Sequence, residues 1–312
     1  MTLRSCKSRL RCALLCLLLL VVALPRVHAA ENIDPLQPVS LTVTFRSQDT
    51  ALAGLPFDLY LVGTMDPYGE LTVTEDFALF NIDIRGRNDE AWRSLSLTLE
   101  GYVAQSGIAP IDSAVTDENG QVRFPAQIEA LPQGLYFIPG FRYVQDEYIY
   151  EAEPFMALLP CEVDGQRIYD LSMQPKYSQP EDKPMIARVI KVWNDDGNTE
   201  ARPQEITVQL LCNGEVYDTV TLNDQNNWRF LWTNLSSHYR WTVVEKVPEG
   251  YTVEITREGN TFVVTNTGET PPPPPDLPQT GQLWWPVPIL AALGLVLTVA
   301  GLLRRKGADH EA

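Results

Sequence analysis

Three polar residues, Lys191, Glu245 and Asn266, occupy predicted β-strand positions with large apolar residues two places away. Because alternate residues of a strand point to the same face, all three side chains should project into an apolar core. Burying three polar groups is costly unless they interact with one another. Desolvation would make Lys191 a neutral nucleophile and Glu245 a proton donor beside a carboxamide. The residue types alone also fit, and favour, a Lys191–Glu245 ion pair with Asn266 hydrogen-bonded beside it.

A second motif with chemical meaning lies near the C-terminus. It consists of Leu277, Pro278, Gln279, Thr280 and Gly281. Residues 283–303 follow without a charge and are long enough to cross a bilayer as a helix, and the tail 304–312 opens with three basic residues. This order resembles the cell-wall sorting signal of Gram-positive surface proteins. The resemblance implies that a sortase attacks the Thr280 carbonyl and joins Thr280 to an amine of peptidoglycan or of another pilin subunit.

The N-terminus predicts export. A basic start, an apolar run over residues 12–24 and small residues at Val27 and Ala29 are typical of a signal peptide over residues 1–29. The run is too short to span a bilayer comfortably. The sequence therefore predicts a secreted protein that spans the membrane before sorting and is then covalently anchored to the cell wall of a Gram-positive bacterium.

Composition excludes several functions. Residues 31–280 contain 16 basic and 38 acidic residues, a net charge of −22, which repels nucleic acid. His238 is the only histidine in that span, which argues against a histidine-rich metal site or a Ser-His-Asp enzyme. We therefore predict no metal, no cofactor and no enzyme activity. Cys161 and Cys212 are too few for a disulfide framework and are predicted to be packed thiols.

Short strands and turns dominate the middle of the chain, where two β-rich domains are predicted at 39–177 and 185–268. Residues 178–184 are predicted as a linker, and 269–276 as a proline-rich spacer. A helix is predicted from residue 89 to 103, although Leu95, Leu97 and Leu99 also alternate as a strand would. Strands in the second domain are predicted at 186–193, 206–211, 228–232, 239–245 and 261–266.

Five segments of the second domain carry a resemblance to a known family. They are KVWND from Lys191, RPQEITVQLL from Arg202, TLNDQNNWRF from Thr221, WTVVEKVPEGY from Trp241 and FVVTN ending at Asn266. In this order they resemble the B-type domain of collagen-binding adhesins (Cna B-type). The resemblance implies an intramolecular isopeptide bond between Lys191 and Asn266, with Glu245 shuttling protons. The predicted fold class is all-β: two tandem immunoglobulin-like sandwiches, with a C-terminal transmembrane sorting helix.

The first domain more loosely resembles the N-terminal domain of ancillary and backbone pilins. The matching segments are GLPFDLYLV from Gly54, TDENGQVRF from Thr116 and GLYFI from Gly134, and residues 71–114 are a large insertion. No lysine occurs between residues 31 and 175, and Pro139-Gly140 stands where the family has its glutamate. We therefore predict no isopeptide bond in this domain.

The sequence favours a structural protein. Backbone pilins polymerise through a lysine in a YPKN-type motif, and Lys176 and Lys183 are candidate acceptors, but both also fit ordinary surface lysines. The leading prediction is an ancillary or basal pilin whose partners are sortase, peptidoglycan and other pilin subunits. The alternative is a stand-alone wall-anchored adhesin that binds a host extracellular matrix protein.

Overall fold

The structure is a computed structural model that describes residues 33–268 except 48–49, 86–87, 146 and 201. Five predicted segments lie outside the described residues: 1–29, 269–276, 277–281, 283–303 and 304–312. Within the described part of the chain, no helix is both long and apolar enough to cross a membrane.

The N-terminal half (residues 33–178) is built from short strands and two helices. Its strands are β1 Ser40–Thr44, β2 Arg46–Ser47, β3 Thr50–Ala51, β4 Pro56–Met65, β5 Leu71–Val73, β6 Asp112–Val115, β7 Gln121–Phe124, β8 Gly134–Ile138, β9 Phe141–Gln145, β10 Tyr148–Ala152, β11 Phe155–Leu159, β12 Cys161–Val163, β13 Gln166–Ile168, β14 Asp170–Met173 and β15 Tyr177–Ser178. Helix α1 spans Glu75–Ala78, and helix α2 spans Asp89–Ser106.

Three sheets enclose the apolar core of this half. In the first sheet, β1 lies between antiparallel β7 and parallel β14. The second sheet has β8 and β4 at its centre, flanked by β11 and β5. In the third sheet, β10 lies between β9 and β15. Leu41 and Val43 of β1 are fully buried, whereas Thr42 and Thr44 are half-buried. The period-two alternation of the sequence is therefore confirmed in this strand.

Helix α2 lies where the sequence predicted a helix. The Asn88 side chain caps its first turn by accepting from the Ala91 backbone N–H at 2.9 Å, and Gly107 ends it with φ 69°. Leu95 and Leu99 pack with residues of β4 and β8 in a second apolar cluster. All residues from 94 to 101 are buried, so the helix is covered on more than one face. The fold is mostly β rather than all-β, because the insertion contributes this 18-residue helix.

The C-terminal half (residues 185–268) is a two-sheet sandwich. Its strands are β16 Met185–Asn194, β17 Glu205–Cys212, β18 Glu215–Asn223, β19 Arg229–Leu235, β20 Trp241–Glu245, β21 Tyr251–Glu258 and β22 Thr261–Gly268. One sheet has the order β19-β16-β22-β21, with β16 and β22 parallel, and the other has the order β18-β17-β20. Five of these strands were predicted, whereas β18 and β21 were not.

The two halves contact each other, largely through α2, but share no sheet. Each sheet of the described residues takes its strands from one half only. The described residues nevertheless form one compact unit, in which α2 lies against β20 and β21. The boundary at 178–184 stays a prediction.

Candidate functional site: a buried lysine, glutamate and asparagine

Lys191 lies on β16 and points into the core of the C-terminal half, with only 5% of its surface exposed. Its Nζ donates to the backbone oxygens of Val192 at 2.6 Å and Val264 at 3.4 Å, and lies 3.9 Å from the centre of the Trp193 ring. An ammonium group over an aromatic face is attracted by the negative charge of the ring face. Lys191 therefore points into the core, as the sequence predicted.

Glu245 and Asn266 are buried in the same core. Asn266 lies on β22, the parallel neighbour of β16, in register with Trp193, two residues beyond the Lys191–Val264 pair. Glu245 ends β20 in the opposing sheet, where it is paired with Val208. Both are almost completely buried, at 1% and 0% exposure. Strand alternation therefore placed all three side chains correctly.

The side-chain oxygens of the acid and the amide lack hydrogen-bond partners among the described residues. Both carboxyl oxygens of Glu245 and the Oδ1 of Asn266 are buried without a partner among the described residues. The Nδ2 of Asn266 donates to the Thr252 carbonyl at 3.3 Å. A desolvated carboxylate without hydrogen bonds is far more costly than the neutral acid, so burial favours a protonated Glu245.

Electrostatics point the same way for both titratable groups. Burial lowers the pKa of Lys191 to about 8, against the opposing effect of the Glu245 charge. Burial also raises the pKa of Glu245 to about 7, against the opposing effects of Lys191 and Asn266. The Asn266 amide is thus close enough to act on the carboxyl, although no hydrogen bond of normal geometry joins them. The pair is driven toward a neutral amine beside a neutral acid.

An aromatic and charged layer covers this site. The Trp193 ring meets the edges of Trp228 and Tyr251 at centroid distances of 5.4 and 5.1 Å. Arg202 lies 5.7 Å over the same ring and binds both carboxylate oxygens of Asp195, at 2.6 and 2.7 Å. The positive charge of Arg202 adds to the lowering of the lysine pKa. The layer also excludes water from the three reactive groups.

A second buried cluster of charges was missed by the sequence analysis. Arg240 donates to Glu100 at 2.7 and 2.9 Å and to Glu151 at 2.7 Å. Glu151 also accepts from Arg142, and from Arg257 at 2.9 Å. These residues come from both halves, and the bonded pairs are 9 to 140 positions apart, so no local spacing could indicate the cluster. The one available signal was an acidic residue inside the apolar strand β10.

The candidate acceptor lysines lie away from the amide site. The Lys183 side chain is 68% exposed and pairs with Glu181 at 2.6 Å. Lys176 is exposed at the edge of a cavity of about 660 Å³ in the N-terminal half. Their role as acceptors remains a prediction. Cys161 and Cys212 are unbridged and half-buried.

Comparison with known families identifies the sandwich that holds the three residues. Residues 187–267 match the Cna protein B-type domain. This Cna B-type domain runs from β16 to β22 and contains Lys191, Glu245 and Asn266, so the resemblance seen in the sequence is confirmed for this part of the chain.

The relatives cover only part of the protein. The collagen adhesin of Staphylococcus aureus is 31% identical over 117 residues, which is 35% of this chain and 9% of the adhesin. A single B repeat unit of that collagen-binding protein has 16% identity and a TM-score of 0.27, covering 75% of this chain and 99% of the repeat. The major pilin SpaD of Corynebacterium diphtheriae has 14% identity and a TM-score of 0.30, covering 77% and 66%. At these scores the two structures are only distantly similar to this chain.

Proposed function

We propose that this chain is a structural cell-surface protein: a sortase-anchored ancillary pilin at the base of its fibre, with a Cna B-type domain locked by a Lys191–Asn266 amide bond. One observation carries the proposal. Lys191, Glu245 and Asn266 meet in an apolar core, and the acid and amide oxygens there have no other partners among the described residues. Unpartnered buried polar atoms are costly, and a reaction that joins the groups accounts for them.

The proposed reaction balances without any co-reactant. The Nζ of neutral Lys191 attacks Cγ of Asn266 and forms the new C–N bond. The bond from Cγ to Nδ2 breaks, and Glu245 takes a proton from Nζ and returns one to the departing nitrogen, which leaves as ammonia. Glu245 ends as it began, and each chain reacts once. The protein is therefore not an enzyme, since nothing is turned over.

The position of the bond suits a load-bearing role. β16 and β22 are the first and last strands of the Cna B-type domain, and they run parallel. A pulling force applied at the two ends of the domain, Met185 and Gly268, would pass along β16 to Lys191. It would then cross the amide to Asn266 and leave through the end of β22. The other five strands would carry no load, so tension could not unzip the sandwich.

The sequence signals supply the anchoring part of the proposal. Export by the signal peptide and cleavage of the LPQTG motif by a sortase would attach Thr280 to peptidoglycan, with the proline-rich residues 269–276 as a stiff spacer. Other pilin subunits would attach through Lys176 or Lys183. Both side chains are exposed, and the Lys183–Glu181 pair is too exposed to hold that lysine firmly.

A stand-alone adhesin is the second candidate. The 31% identity with part of a collagen adhesin favours it, and a host matrix protein would then be the ligand. A digest of the cell wall separates the two candidates. Covalent high-mass ladders that disappear in Lys176→Arg or Lys183→Arg chains support the pilin, whereas one discrete band together with matrix binding supports the adhesin.

The amide bond has a direct test in the mass of the full chain after digestion. The peptides containing Lys191 and Asn266 should be recovered as one joined species, about 17 Da lighter than their sum because one ammonia is lost. Glu245→Gln keeps the packing but removes the proton shuttle, so its peptides should stay separate. Separate peptides of unshifted mass from the unsubstituted chain would exclude the bond.

A further inference from the structure

Helix α2 of the N-terminal half forms part of the wall of the amide site. The hydroxyl of Tyr102 donates to the backbone carbonyl of Glu245 at 2.9 Å. Its ring packs against the core of the C-terminal half and stacks on Phe80 with the centroids 5.0 Å apart. The insertion of the N-terminal half thus touches the residue proposed to shuttle protons in the other half.

The close approach of α2 is built into the sequence. A Cβ on Gly101 would lie 2.7 Å from the Val243 carbonyl oxygen, so only glycine allows the helix this near to β20. On the other side, the Thr98 hydroxyl accepts from the backbone N–H of Ile255 at 2.8 Å. Ile255 lies on β21, an edge strand, so α2 satisfies a donor that no strand pairs with.

Tyr102 acts where Glu245 needs support. Glu245 is the last residue of β20, and a strand end is held by fewer ladder bonds than its middle. Burial first, and then the Glu245 charge, raise the pKa of the Tyr102 phenol, so it stays a proton donor. Besides Glu245, the charges of Asp195 and Arg202 shift the pKa of Lys191, and both residues lie near the Trp193 ring.

We propose that Tyr102 is a positioning residue for the amide-forming reaction, so that crosslinking in the C-terminal half depends on docking of the N-terminal half. The inference rests on the proposed function, because it needs the Lys191–Asn266 bond to form. Tyr102 holds the end of β20, so that the Glu245 carboxyl stays next to Lys191 and Asn266 and out of contact with water. Since proton transfer depends on position within fractions of an ångström, losing one anchoring bond slows the reaction.

The test compares two buried tyrosines in the full chain. Tyr102→Phe removes only the hydroxyl at the site. Tyr136→Phe is the matched control, because the Tyr136 hydroxyl also donates to a backbone carbonyl, that of Pro132, within the N-terminal half. Freshly synthesised chain is sampled over time, and the joined Lys191–Asn266 peptide is measured by mass. We expect crosslinking to be about tenfold slower in Tyr102→Phe and unchanged in Tyr136→Phe.

A pH series separates positioning from simple destabilisation. Burial draws the Lys191 and Glu245 pKa values together, so the rate should follow a narrow bell that rises through the lower value and falls through the upper one. Tyr102→Phe lets water reach Glu245, so its bell should be lower and also wider. Equal crosslinking rates in Tyr102→Phe and the unsubstituted chain would overturn the inference. So would a loss of rate that Tyr136→Phe shares, or a pH–rate profile of Tyr102→Phe that is lower but no wider. If the unsubstituted chain never crosslinks, the proposed function fails and the inference falls with it.

Discussion

At the scale of residues, the Lys191–Glu245 pair makes a prediction about the unreacted domain. Asn266→Ala removes the acceptor and leaves both groups buried. The Lys191 pKa is lowered, so its burial destabilises the fold at neutral pH, and this cost disappears as pH rises from about 8 toward 10.5. The Glu245 pKa is raised, so its stabilisation is present below 4.5 and is lost as pH rises through about 7. Urea unfolding should therefore show a stability minimum between about pH 7 and 8, with gains of up to roughly 3 kcal/mol on each side.

The matched control removes the alkaline part of that pH dependence, which comes from Lys191. Asn266→Ala combined with Lys191→Met keeps Glu245 and loses the lysine. Stability should still fall from acidic to neutral pH, but it should not recover at alkaline pH. A flat profile in the single variant would show that neither group is buried in the unreacted domain.

At the scale of elements, α2 is tested through Gly101. In an isolated helix, Gly→Ala stabilises by about 1 kcal/mol, because alanine is the better helix former. In this chain the new Cβ would meet the Val243 carbonyl at 2.7 Å, so we expect Gly101→Ala to lower the unfolding free energy by about 1–3 kcal/mol. Urea unfolding measures the sign. A stabilised variant would mean that α2 does not pack against β20.

The same helix shows what sequence patterns can and cannot predict. The sequence predicted the helix, and in the structure Leu95 and Leu99 face the N-terminal half while Asn88 and Gly107 mark the helix ends. Thr98, Gly101 and Tyr102 contact the C-terminal half. Tyr102 lies seven residues after Leu95 and continues the same apolar stripe, whereas Thr98 and Gly101 are small residues that no hydrophobic period singles out. Their role follows only from the carbonyl and amide groups that a distant part of the chain presents to them. The ambiguity between helix and strand arose because both faces are buried.

The strands also differ in how well their sequence patterns predict them. β16 and β22 alternate strongly, so Lys191 and Asn266 could be placed on their faces from the sequence. Every residue of β20 is buried, so alternation alone does not separate its two faces at Glu245. β18 is an edge strand whose first residues, Glu215, Val216 and Tyr217, are exposed, so its pattern lacks a buried side there. The burial of the three residues was predictable because their strand positions and the family resemblance agree. The partner elements that close the site were not.

At the scale of the whole molecule, the buried charges decide how firmly the two halves are held. Arg240 and Arg257 belong to the C-terminal half, and Glu100, Glu151 and Arg142 belong to the N-terminal half. The pKa of Glu151 is about 2, because attraction to the three arginines outweighs the opposing cost of burial. Its stabilisation is present above pH 4.5 and is lost as pH falls through about 2, so the halves should stay docked in mild acid.

Glu151→Gln tests this interface directly. It leaves Arg142, Arg240 and Arg257 buried with too little negative charge, and breaking a buried ion pair on one side costs about 3–5 kcal/mol. We expect a loss of that size in urea unfolding and faster proteolysis between residues 178 and 184. Asp170→Asn is the control, because its pair with Arg123 is more than half exposed and should contribute at most about 1 kcal/mol. If the two variants lose the same stability, the charge cluster does not hold the halves together, and the docking that brings Tyr102 to Glu245 must depend on the other contacts of α2.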